Sequence, residues 1–211
     1  MRVIAFAALA ATSIFTQANA GTVTASIYLN SAAASNATIA NLPAGPADAT
    51  FTFNGTANFD NRLIPGPGAG ISQLDTIDQF LATGGIAPVG GTVGGSILNN
   101  SYWFFSGSIG LHAGANTFTI THDDGFEFNI DGIGIVASAP FATAPIPTTF
   151  TVTAPTTGNY TFEFSYGETS SGPAVITVLG GTLQPVPESS SLAILGGGLG
   201  LLGLGLRRRV K

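Results

Sequence analysis

Apolar residues recur at every second position along most of this chain. From Thr22 to Asn30, Val23, Ala25, Ile27 and Leu29 share one face. The same alternation runs through Asn116 to Thr121 (Phe118, Ile120) and Gly125 to Ile130 (Phe126, Phe128, Ile130). It returns in Thr148 to Thr153 (Phe150, Val152) and Tyr160 to Tyr166 (Tyr160, Phe162, Phe164, Tyr166). Side chains alternate across a strand, so each segment reads as a strand with one face to a core. Trp103 to Ile109, Ile133 to Val136 and Val175 to Leu179 are further strands. In Thr50 to Phe59, the phenylalanines Phe51, Phe53 and Phe59 bracket Asn54-Gly55, a turn or bulge signal. Asp131-Gly132 lies between two strand patterns and suits a two-residue type I′ hairpin turn. Many short strands with turn signals between them point to an all-β sandwich or barrel.

One stretch departs from this period. Leu74, Ile77, Phe80 and Leu81 recur at helical spacing in Ser72 to Gly84. Ser72 with Asp75 three residues on resembles a capping box, and Gly84-Gly85 supplies a stop. A single short helix over about 72–84 is expected. Ile64 to Ile71 and Ile86 to Ser96 are Gly- and Pro-rich loops.

Both ends differ from the body. Arg2, the apolar run Val3 to Phe15, and Ala18-Asn19-Ala20 fit a secretory signal peptide, with small residues at Ala18 and Ala20 and cleavage after Ala20. At the other end, Val186-Pro187-Glu188 leads into the uncharged segment Leu192 to Leu206, then Arg207, Arg208, Arg209 and Lys211. About twenty apolar residues normally span a bilayer, so this C-terminal hydrophobic helix is short. The domains are therefore 1–20 signal peptide, 21–185 folded domain and 186–211 tail. Zero cysteines in an exported chain exclude a disulfide framework.

Charge narrows the partners. Of six basic residues, only Arg62 falls in 21–185; of eleven acidic residues, only Glu188 falls outside it. The domain is strongly acidic, which excludes nucleic acid and disfavours anionic lipid surfaces. Neutral glycans, cations and basic surfaces remain.

The chemistry gathers at His122-Asp123-Asp124-Gly125, between two strands. Adjacent carboxylates repel, and water or a cation relieves them. Oxygen ligands suit Ca²⁺, whereas a lone histidine without thiolates does not make a structural zinc site. The four residues taken alone also fit a solvated acidic loop. His122 beside two carboxylates resembles a general base, yet no nucleophile is arranged with it, and neighbouring aspartates do not straddle a glycosidic bond. An enzyme is therefore not expected. His112 reads as a strand-end or turn residue. In Tyr102-Trp103-Phe104-Phe105, Trp103 is a candidate sugar-stacking ring, although alternation favours burial. Tyr166-Gly167-Glu168 with Ser170 to Pro173 reads as a bulged strand or loop lining the same site.

Two resemblances follow. The tail resembles the PEP-CTERM signal of Gram-negative envelope proteins, in Pro-Glu head, apolar run and basic stop, with Ser189 where that family has a second proline. It implies an exosortase-type transpeptidase as partner, transient inner-membrane anchoring, and a cell-surface or matrix destination, often with exopolysaccharide or biofilm. A plain membrane anchor is the other reading. The run from Leu111-His112 through His122-Asp123-Asp124-Gly125 to Asp131-Gly132, with Thr157-Gly158-Asn159-Tyr160 onward, resembles the protective-antigen N-terminal type of lectin-like antiparallel β-sandwich. In its sugar-binding members, such as yeast flocculins, two aspartates joined by a cis peptide hold Ca²⁺ that touches glycan hydroxyls. The resemblance implies Asp123 and Asp124 as metal ligands and extracellular polysaccharide as partner. A further ligand would come from Asn99, Asn100, Asn129 or Glu168, with Asn129 the metal candidate, and His122, Glu168 and Trp103 candidates for ligand contact. A structural matrix protein without sugar binding and a matrix polysaccharide hydrolase are the alternatives.

Overall fold

The computed structural model describes residues 22–55, 58–66, 69–169 and 171–179. The expected signal peptide and PEP-CTERM tail lie outside them. Among the described residues no helix is long and apolar enough to cross a membrane.

Strands β1 (Thr22–Tyr28), β2 (Ala49–Asn54), β4 (Ser101–Leu111), β6 (Gly125–Ile130), β7 (Gly134–Ala139) and β9 (Gly158–Glu168) form one sheet, in the order β2-β1-β4-β9-β6-β7. Strands β3 (Asn58–Asp60), β5 (Gly114–Asp123), β8 (Ile146–Ala154) and β10 (Val175–Leu179) form the second, ordered β3-β10-β5-β8. Every pairing is antiparallel. The chain is thus an antiparallel β-sandwich. Its core comes from the alternating positions: Val23, Ala25 and Ile27 of β1 meet Phe118 and Ile120 of β5, with Phe126, Phe128, Phe162 and Phe164 between the sheets. Aromatic rings interlock there, Phe118 lying edge-on to Phe128 at 6.3 Å and Phe126 stacking on Phe164 at 5.8 Å.

The Asn54-Gly55 signal does separate two strands: β2 ends at Asn54, Gly55 has φ +106°, and β3 lies in the opposite sheet. Two local expectations change. The Asp131-Gly132 turn is not type I′. Gly132 (φ +77°) and Gly134 (φ +102°) have positive φ, Asp131 does not, and Ile133 N donates to Ile130 O at 3.0 Å. A register shift in β6 and β7 beside Asn129 absorbs the longer loop.

The helix is shorter than expected. α1 spans Ile77–Thr83, and its N-cap is Thr76, not Ser72. Thr76 Oγ1 accepts from Gln79 N while Gln79 Oε1 accepts from Thr76 N, so the capping box sits four residues later. Ser72 and Asp75 are instead buried in the loop before it. Ile77, Phe80 and Leu81 are fully buried, and Phe80 packs edge-on against Trp103 at 5.7 Å. α2 (Gly91–Gly94) is a single turn in the expected loop.

A strap over 31–42, for which the strand period predicts nothing, covers the outer face of the larger sheet. Its Ala34 and Ala37 bury Tyr102, whose hydroxyl donates to Thr38 O at 2.9 Å. Ser165 Oγ donates to Ala37 O at 2.6 Å, and Glu127 Oε1 accepts from Ile39 N at 3.0 Å. Polar residues on the outer face thereby become buried ones. Gly167 makes this packing possible: a Cβ there would lie 2.2 Å from Ala34 O.

Candidate functional site

The site forms at one end of the sandwich, where three strand ends meet. β5 delivers Asp123, the link to β6 delivers Asp124, and β9 delivers Glu168. The Asp123-Asp124 peptide bond is cis. Asp124 N donates to Gly167 O at 3.3 Å, which ties the link to β9. One carboxylate oxygen from each of Asp123, Asp124 and Glu168 falls within 4.8 Å of the others. All three residues are buried.

The three carboxylates are held differently. Asp124 is gripped from both sides: Oδ1 accepts from Thr143 N at 3.1 Å, and Oδ2 accepts from Thr169 N and Thr169 Oγ1, each at 2.7 Å. Asp123 Oδ1 and Glu168 Oε1 are buried without a hydrogen-bond partner among the described residues. Tyr166 hydroxyl donates to Asp123 O and lies 3.3 Å from Glu168 Oε2. Burial pushes the Asp123 carboxyl up to about 8, helped by Asp124 and opposed by Arg62. Burial, with the charge of Asp124, pushes Glu168 up to about 10, against hydrogen bonds from Ser72 and Tyr166.

This donor set fits a hard divalent cation. Its ligands are all oxygen. Ca²⁺ bonds of about 2.3–2.6 Å bridge oxygens up to about 5 Å apart, and unpaired buried carboxylate oxygens are costly unless a cation answers them. Asp123, Asp124 and Glu168 would hold it.

His122 is a support for Asp124, not a free ligand-contacting group. Its ring is buried and meets Phe126 edge-on at 4.5 Å. Nδ1 lies 2.6 Å from Asp124 O, and a carbonyl only accepts, so Nδ1 carries the proton. Nε2 then accepts from the Thr148 hydroxyl at 2.9 Å. Burial lowers the His122 pKa and keeps the ring neutral. With both nitrogens engaged it offers no lone pair to a general-base step.

The remaining expectations separate. Trp103 is fully buried between the sheets, and its Nε1 donates to Ser101 Oγ at 2.8 Å, so it presents no face to a sugar. Asn129 lies on β6 opposite Glu163, to which its amide donates at 3.3 Å. Five extended residues place it about 16 Å along the strand from Asp124, so it is no ligand there. Asn100 is an exposed turn residue at φ +59°, whereas Asn99 N donates to Ser72 O at 3.2 Å beside the site. His112 is an exposed turn residue, as expected. Glu168 is the distant carboxylate that joins the pair. Thr143 and Thr169 went unrecognised in the sequence, and Ser72 was read as a helix cap, because hydroxyl residues in loops carry no periodic signal.

No protein-family model and no curated protein matches the chain. Solved structures do. The fold is similar to the PA14 domain of the antifreeze protein MpAFP, with a TM-score of 0.57 and 19% identity over 74% of this chain and 80% of that one. It is also similar to a PA14 sugar-binding domain from an RTX adhesin, with a TM-score of 0.51 and 17% identity over 76% of this chain and 90% of that one. At these identities the likeness is one of fold.

Proposed function

We propose that this chain is an exported cell-surface or extracellular-matrix protein whose PA14-type sandwich binds carbohydrate with Ca²⁺ held by Asp123, Asp124 and Glu168. The observation that carries the reading is the buried three-carboxylate cluster, in which Asp123 Oδ1 and Glu168 Oε1 have no hydrogen-bond partner among the described residues. The fold likeness to a domain described as sugar-binding supports the ligand class. Bound calcium supplies positive charge to which neutral hydroxyl oxygens can coordinate. The chain's own residues set the geometry: Thr143 and Thr169 fix the Asp124 carboxylate, His122 fixes its carbonyl, and Tyr166 braces Asp123. The strongly acidic domain favours a neutral glycan over an anionic one.

Residues 1–20 direct export. Residues 186–211, with Val186-Pro187-Glu188 and Arg207 to Arg209, direct sorting by an exosortase-type transpeptidase after transient anchoring in the inner membrane. Mass spectrometry of the secreted protein tests this; a mature chain that still begins at Met1 and ends at Lys211 overturns it.

Calorimetric titration of the full chain with Ca²⁺ tests the site. Binding that disappears in an Asp123→Ala, Asp124→Ala variant is expected. No binding, or equal binding by the variant, rules the site out. A second reading is a structural matrix component in which the cation only braces the loops. It is favoured by the depth of the carboxylates, none more than 1% exposed. A chain that binds Ca²⁺ but no member of a glycan array selects it.

A further inference from the structure

Beside Asp124 the gap between the two sheets stays open. A cleft of about 280 Å³ is lined by His122, Ala139, Phe141, Thr143, Ile146 and Thr148. That volume is near the lower end for small-molecule sites, about 300 Å³. Two of the chain's exposed large apolar side chains stand on it: Phe141, 65% exposed, and Ile146, 47% exposed. Among the described residues no charged side chain lines it.

The wall is held in place. Ala37 N donates to Pro140 O at 2.8 Å, and the Pro140-Phe141 backbone rests on Gly125, where a Cβ would lie 2.2 Å from Pro140 O. Two residues on, Thr143 N donates to Asp124 Oδ1. The segment that grips the metal-site carboxylate therefore also presents Phe141. On the floor, the Thr148 hydroxyl gives its proton to His122 Nε2 and keeps acceptor lone pairs.

We infer that this cleft is a subsite for one uncharged pyranose ring, whose C–H face packs on Phe141 while its hydroxyls meet Thr143 and Thr148. The chemistry of the wall selects this occupant. An apolar ring beside hydroxyl groups complements a sugar, which is apolar on its faces and polar at its rim. A charged ligand would find no counter-charge, and a purely apolar one would strand the hydroxyls. The inference rests on the calcium-dependent reading above only for the anchoring of the sugar next to the cation.

The test uses the full chain, wild type and with Phe141→Ala or Phe141→Trp. Calorimetry measures Ca²⁺. Saturation-transfer NMR measures D-glucose, D-galactose, D-mannose and L-fucose, with and without Ca²⁺. Phe141 is exposed, so its truncation leaves the fold intact. Phe141→Ala is expected to keep Ca²⁺ affinity and weaken the bound sugar about tenfold, equivalent to about 1.4 kcal/mol. Phe141→Trp is expected to keep sugar binding. Sugar affinity unchanged in Phe141→Ala overturns the cleft and leaves the calcium site standing. Sugar binding that needs Phe141 but not Ca²⁺ supports the cleft and removes the calcium dependence. A wild-type chain that binds none of the four sugars overturns the cleft.

Discussion

Loading the carboxylate cluster has to displace protons. Without a cation, burial holds Asp123 at about 8 and Glu168 at about 10, so both are protonated at pH 7. A carboxylate coordinates Ca²⁺ in its ionised form. Calcium uptake should therefore release about two protons at pH 7 and about one at pH 9. Apparent affinity should tighten by up to about a hundredfold per pH unit below pH 8 and up to about tenfold per unit between 8 and 10. Calorimetry in PIPES and in Tris, two buffers that bind Ca²⁺ weakly and differ in ionisation heat, reads this directly, because each released proton adds the ionisation heat of the buffer. The difference in heat between buffers, divided by the difference in ionisation enthalpy, counts the protons. Calcium binding with the same heat in both buffers at pH 7 would refute the placement of the cation on these buried carboxylates.

The same raised values give a stability trend. The folded-state pKa values lie above the unfolded ones, so this contribution is fully present below about pH 4 and is lost as pH rises through 8 and 10. The metal-free thermal midpoint should fall from pH 6 to pH 9 and be restored by Ca²⁺; a midpoint that rises over that window contradicts the assignment. Glu168→Gln keeps the shape of the protonated side chain, so the metal-free midpoint should hold while Ca²⁺ affinity drops about a hundredfold with the lost ligand charge; unchanged calcium affinity places the cation elsewhere. Gly167→Ala drives a methyl to 2.2 Å from Ala34 O. Urea denaturation should show a loss of about 3 kcal/mol as the strap lifts, and a loss below about 0.5 kcal/mol argues against that packing. Thr76→Ala removes one half of the capping box on α1 and should cost about 1 kcal/mol by the same assay; no change means that α1 is held by its buried face alone.

The strand pattern was legible because its physical cause is local. Phe118 and Ile120, or Phe126, Phe128 and Ile130, must face one side of a strand whatever surrounds them. The helix was legible in kind but not in extent. Leu74 fits the helical spacing, yet it is 62% exposed and lies outside α1, while Ser72 and Asp75 are used for loop contacts. The sequence pointed to a capping box at Ser72 and Asp75, and packing placed it at Thr76 and Gln79 instead. The Asp123-Asp124 pair was visible because two adjacent carboxylates with one cation in the domain demand an explanation.

Taken alone, the sequence determines an alternation that commits the chain to antiparallel sheets, a charge balance that disfavours polyanions, and an Asp pair between two strands. The tertiary structure alone decides what joins that pair. Glu168 arrives because β9 runs beside β6, pairing Gly167 with Gly125. Trp103 goes to the core because the facing sheet and α1 close over it, and Tyr102 is buried because a strap with no periodic signal crosses its face. Register and covering are properties of distant segments meeting, and a period read along one segment carries no information about which segment lies across from it.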